Sequence, residues 1–149
     1  ISSSSYPKFT NCKFINNRSF GGPTGIKGLN ADPPWRDPPN IHYKIDTLGG
    51  AVYIAAGGSA KFDSCIFTGN IADNNDVGGE DSFVSFGGAV AAEGNPSTAI
   101  TFNNCIFSEN SSTIGGALFW HDTTSNSPLL DNCNFSGNSA LHGGGVYCQ

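Results

Sequence analysis

Apolar residues in this chain recur in short alternating bursts and not at helical spacing. Phe9-Thr-Asn-Cys12-Lys-Phe14-Ile-Asn-Asn17 returns as Phe62-Asp-Ser-Cys65-Ile-Phe67-Thr-Gly-Asn70, as Phe102-Asn-Asn-Cys105-Ile-Phe107-Ser-Glu-Asn110 and as Leu130-Asp-Asn-Cys133-Asn-Phe135-Ser-Gly-Asn138. In C-x-F the Cys and Phe stand two apart, so on a strand they share one face while the residue between them points away. Lys13 and Asn134 hold that between position, as an outward one allows. The polar pair before each Cys is long enough only for a corner, and Asn and Asp accept turn dihedrals there. A second motif follows each copy: Gly49-Gly-Ala-Val52, Gly87-Gly-Ala-Val90, Gly115-Gly-Ala-Leu118 and Gly143-Gly-Gly-Val146. It opens another extended segment, with glycines where the backbone must bend or approach a neighbour closely.

Three short strands separated by corners make one turn of the cycle, as at residues 98–102, 105–107 and 115–120, after which the pattern restarts. Four such turns predict an all-β parallel β-helix of four coils in a single domain, residues 1–149. Like residues then stack in ladders about 4.8 Å apart. The ladders are Cys12, Cys65, Cys105 and Cys133; Phe14, Phe67, Phe107 and Phe135; and Asn17, Asn70, Asn110 and Asn138. From the third residue of the glycine motif to the next Cys the spacing is 14, 16 and 16, whereas from Asn to the first Gly it is 32, 17, 5 and 5. The length variation therefore sits in one corner, with excursions at residues 18–48 and 71–86, and a solenoid tolerates insertion there because each coil still closes on the same ladders.

Repeated F-x-x-N with GGA[ILV] resembles the polymorphic outer membrane proteins of chlamydiae. Residues 14–17, 67–70, 107–110 and 135–138 carry the first motif. Three of the four glycine motifs match the second; the last reads GGGV. The resemblance implies a right-handed β-helix of a surface-exposed passenger region used in adhesion. Fold likeness alone does not carry activity.

Composition agrees with this architecture. The 149 residues include 20 Gly, 8 Pro and 11 Phe, no Met, and only 13% charged side chains, far from a helix-rich domain. The net charge is -5, and the seven Lys and Arg read as scattered, so nothing supplies the basic stripe that nucleic acid requires. No apolar run approaches the roughly 20 residues of a membrane span, and residues 1–12 lack the pattern of a signal peptide, which fits a mature chain or an excerpt.

Candidate chemistry is sparse. Polysaccharide lyases and hydrolases use this kind of fold, but the paired Asp or R-x-K run that would resemble theirs does not occur. His121-Asp122 is the best local pair for acid-base work, at a corner where both are ordinary turn residues. His142 precedes a glycine run, and His42 has no visible partner. The stretch DNNDVGGED, residues 73–81, faintly resembles a calcium loop, but Val77 and Val84 stand where oxygen ligands belong. Catalytic, cofactor and metal sites are therefore not expected. The excursion motif ADPPWRDPPN is extended and stiff, and its Trp35 and Arg36 are candidates for contact with a glycan or a surface protein, or for covering the coil. Ladder cysteines about 4.8 Å apart are farther separated than a disulfide prefers, so reduced thiols are expected. Cys148 lies off that ladder, as a buried thiol or a partner contact. N-x-[ST] sequons occur at Asn17, Asn110 and Asn134.

These features predict a non-catalytic extracellular or cell-surface structural protein, the subunit or tandem repeat of a filament of copies stacked end to end. A surface adhesin acting through the excursions is the alternative, and a polysaccharide-active enzyme the second. Counting on from Gly145 through Gln149 and then from Ile1 to Cys12 gives sixteen positions, the interval from Ala89 to Cys105 and from Ala117 to Cys133. By this count a second copy continues the coil, and a filament grows because such a contact does not close on itself.

Overall fold

A computed structural model describes residues 1–2, 4–21, 47–74, 84–93, 99–121 and 127–149. Each polar pair bends the chain as its residue types allow. Asn11, Ser64, Asn104 and Asn132 take left-handed φ of 50–55°, and the strands on either side leave at a corner. Asn16, Gly69, Glu109 and Gly137 make the second corner in the same way, and Gly49, Gly87, Gly115 and Gly143 the third, with φ of 63–69°.

Around these corners the first coil comprises β1 (Lys8–Thr10), β2 (Lys13–Ile15), β3 (Arg18–Gly21), β4 (Thr47–Leu48) and β5 (Val52–Ile54). The second comprises β6 (Lys61–Asp63), β7 (Ile66–Thr68), β8 (Ile71–Asn74), β9 (Ser85–Phe86) and β10 (Val90–Glu93). The third holds β11 (Thr101–Asn103), β12 (Ile106–Ser108) and β13 (Leu118–His121), and the fourth β14 (Leu129–Asp131), β15 (Asn134–Ser136) and β16 (Val146–Cys148). Coil stacks on coil to give three four-stranded sheets, β1-β6-β11-β14, β2-β7-β12-β15 and β5-β10-β13-β16, and every pairing in them is parallel. The result is the right-handed parallel β-helix that the repeat predicts.

Register places like on like. Phe14, Phe67, Phe107 and Phe135 are partners in successive layers, with ring centroids 4.7, 4.8 and 4.7 Å apart and planes within 5° of parallel. A second column, Phe9, Phe62 and Phe102, stacks at 5.0 and 4.9 Å and meets the first edge to face. Layer spacing forces the face-to-face stacking, and the edge contacts between columns recover the geometry that aromatic quadrupoles prefer. Phe62, Phe67 and Phe107 are fully buried, while Ile106, between Cys105 and Phe107, is 43% exposed.

The glycine motif allows the coils to approach. A Cβ on Gly88 would lie 2.1 Å from the carbonyl oxygen of Gly116 in the next layer, so only glycine fits.

The excursions are shorter than residues 18–48 and 71–86. Their stems are strands of the coil: β3 pairs with β8 and β4 with β9, so the first two coils have five strands each and not three. Both coils have a long corner, and each offers the other a backbone partner. The third and fourth coils turn at once and show only isolated bridges there, Ser111 to Ser139 and Ile114 to His142. Residues 22–46 and 75–83, including Trp35, Arg36 and His42, lie outside the described residues, as does Asp122.

Candidate functional site

The polar feature that recurs in every coil is the asparagine ladder. Asn110 Oδ1 accepts hydrogen bonds from the backbone N–H and Nδ2 of Asn70, at 3.0 and 2.9 Å. Asn110 Nδ2 in turn donates to Phe67 O at 3.0 Å and to Asn138 Oδ1 at 2.9 Å, and its backbone N–H donates to Asn138 Oδ1 at 3.0 Å. Asn17 donates to Asn70 Oδ1 in the same way, from N and Nδ2. Asn70 and Asn110 are fully buried, and every amide atom of Asn110 is satisfied.

The ladder has a direction: backbone N–H and Nδ2 of each coil point to the oxygen of the next. Among the described residues Asn17 Oδ1 accepts nothing, and at the other end the Asn138 backbone N–H and one Nδ2 hydrogen have no acceptor. The two ends are complementary, since the groups that are open at Asn138 are those Asn17 Oδ1 would receive.

In the sequence all seven Lys and Arg lie at or before Lys61, whereas nine of the twelve Asp and Glu follow it, so the basic residues are not scattered along the chain. Among the described residues, Lys8, Lys13 and Arg18 lie in the first coil and Lys61 opens the second, whereas Glu109 and Asp131 lie in the third and fourth.

Ile1 pairs along the edge of β5: its N donates to Tyr53 O at 2.7 Å, and Ala55 N donates to Ile1 O at 3.0 Å, which sets Ile1 beside Ile54. Ile54, Ala92, Trp120 and Cys148 are partners in successive layers. Ile1 therefore holds the kind of slot that Cys148 holds, eleven residues before Cys12 as Ile54 is before Cys65.

The ladder cysteines are thiols, without disulfides. Cys65, Cys105 and Cys133 each donate to the carbonyl of Phe9, Phe62 or Phe102 in the preceding coil, at 3.3–3.6 Å. Burial pushes the Cys105 thiol up to about 11 and raises Cys65, so both stay protonated and poorly nucleophilic at neutral pH. Cys148 is exposed beside Trp120. Burial, then the hydrogen bond to Glu93, pushes Tyr53 up to about 12.

Other candidates are set apart from one another. His121 is exposed at the end of β13, in register with Glu93, and exposed His142 lies two layers from Phe86. Asp73, from the calcium-like stretch, pairs with Arg18. Among the described residues no group of three or more His, Cys, Asp or Glu is arranged to hold a metal ion. No helix in them is long and apolar enough to cross a membrane. Of the three sequons, Asn110 is committed to the ladder, Asn17 bonds Asn70, and Asn134 stands exposed on β15.

Among the described residues a hollow of about 440 Å³ is bounded by Arg18, Ile71, Asp73, Ser111, Thr113 and Leu141. The sequence gives no sign of it, because it arises where a coil with a long corner meets one with a short corner.

No curated protein and no solved structure matches the chain. The model of the Chlamydia polymorphic membrane protein (Chlamydia_PMP) repeat matches residues 132–149, which are the fourth coil from its first corner to Gln149. The fourth coil is thus similar to a repeat of that family, and the three coils before it stack on it in register.

Proposed function

We propose that this β-helix is a non-catalytic structural module of a cell-surface protein, and that its coils continue end to end with further copies, as a tandem array or a filament. The carrying observation is the directional asparagine ladder with complementary ends. Whichever chain supplies it, the coil stacked on Asn138 must bring an amide oxygen to receive two N–H groups and a donor for Phe135 O, and a coil like the first one brings both. Charge among the described residues favours the same polarity, because the Lys8, Lys13 and Arg18 of one copy's first coil would approach the Glu109 and Asp131 end of another. The match to a surface-protein repeat supports the location.

In this reading two copies set end to end bring Ile1 and Cys148 to one slot, and a direct link between Gln149 and Ile1 removes that contest, which favours the tandem form. Two copies joined directly from Gln149 to Ile1 fold as one helix of eight coils and unfold in a single transition at higher temperature than one copy, as expected when each added interface stabilises its neighbours. Two separate transitions, or one at the single-copy temperature, would show that the coils do not continue.

A further inference from the structure

The hollow on the side of the helix carries an inference of its own. After their asparagines the first two coils run on as β3 and β8, while the third turns immediately through Ser111, Ser112 and Thr113. Ala72 N donates to Ser111 O at 3.0 Å, the last ladder bond on that edge of β8. The Thr113 N–H, which a continued ladder would send to the Ala72 carbonyl, goes instead to Ser85 Oγ at 2.8 Å. A notch is left there, lined in part by Ala72.

The groups around this notch are mixed in a particular way. Arg18 and Asp73 form an ion pair whose side chains remain 48% and 31% exposed, so both keep hydrogen-bonding capacity toward solvent. Ser111 and Thr113 also line it, and Thr113 Oγ1 is held 2.9 Å from Ser85 Oγ. Ile71 and Leu141 add aliphatic surface, and Leu141 is 80% exposed. Among the described lining residues the one cation, Arg18, is already neutralised against a polyanion, and a purely apolar ligand would desolvate the ion pair and hydroxyls without replacing their water. A ligand with hydroxyls on its edges and C–H groups on its faces suits both kinds of wall. The volume falls in the range of about 300–1,000 Å³ usual for small-molecule sites.

We propose that the notch binds a neutral saccharide of one or two hexose units, with Asp73 and Arg18 engaging adjacent hydroxyls and Ile71 and Leu141 facing the ring. The site uses no residue of the asparagine ladder, so it stands or falls apart from the proposed structural role.

The test uses maltose, lactose, cellobiose and diacetylchitobiose at millimolar concentration, with binding read from amide chemical shifts of the full chain. At least one of them shifts Ser111 to Thr113 and saturates. Asp73→Ala weakens that binding roughly tenfold or more, as loss of a charge-assisted bond implies, whereas Asp131→Ala on β14 leaves it unchanged. Ser111→Phe, which fills the notch, abolishes binding while circular dichroism shows the fold retained, and it serves if Asp73→Ala does not fold. No response to any of the four sugars, binding untouched by Asp73→Ala or Ser111→Phe, or selective binding of an extended peptide along β8 would overturn the proposal.

Discussion

Asn70 and Asn110 are forty residues apart in sequence, yet Asn70 Nδ2 donates to Asn110 Oδ1 at 2.9 Å inside the helix, where neither side chain meets solvent. The bond joins one coil to the next at the corner where the chain must turn. It also fixes register, because a coil displaced by one residue would bury an unpaired amide.

Asn110→Ala strands the Asn70 donors, the Phe67 carbonyl and one side of Asn138 at once. Since a buried polar group left unsatisfied costs about 1–3 kcal/mol, we expect a loss of about 3 kcal/mol or more in urea unfolding. Asn17→Ala, in an exposed terminal layer, should cost about 1 kcal/mol. Equal small losses would mean that the ladder does not hold the coils together.

Phe107→Ala empties the middle of the aromatic column and should cost about 3–5 kcal/mol, against less than about 1 kcal/mol for Ile106→Ala on the solvent face. The same unfolding measurement checks both, and comparable values would reverse the assignment of strand faces.

Gly88 and Gly145 belong to the same motif in different layers but predict opposite outcomes. A Cβ on Gly88 collides with Gly116 O, so Gly88→Ala should destabilise by more than about 3 kcal/mol. At Gly145, where φ is not positive, a Cβ comes no nearer than 3.7 Å to Phe135, and the equivalent positions carry Ala51, Ala89 and Ala117. Gly145→Ala should stabilise by about 0.4–1 kcal/mol through the unfolded chain. Thermal melting of the two variants distinguishes them.

The buried thiol of Cys105 gives a pH dependence. Its folded pKa of about 11 lies above the ordinary 9.0, so the folded chain holds the proton more tightly than the unfolded one. Stability from this source is complete below pH 9 and falls as pH rises toward 11, in the direction that linkage requires. Tyr53, pushed up to about 12, continues the decline. Urea midpoints at neutral pH and near pH 11 should show the fall, and Cys105→Ala should reduce it; a flat profile would contradict burial of the thiol.

Much of this fold is legible because each coil imposes the same demands on the chain. An inward Cys and Phe two apart, a polar corner before them and an Asn after them return four times, and repetition separates requirement from accident. The stems of the excursions are not legible: Arg18–Gly21 and Ile71–Asn74 share no motif, and they pair only because two long corners happen to be adjacent. The slot of Ile1 is hidden for a related reason, since the count to Cys12 does not say which of the two corner lengths applies. The notch is a mismatch between coils, which no single stretch of sequence carries.

Electron microscopy of the assembled chain, with the axial repeat measured from layer lines, tests most directly the claim that the coils continue end to end. Four layers at about 4.8 Å predict a rise of about 19 Å per copy, from a linked tandem or a stack of single chains. Assemblies that grow sideways, or a repeat that is not four layers, would contradict the account.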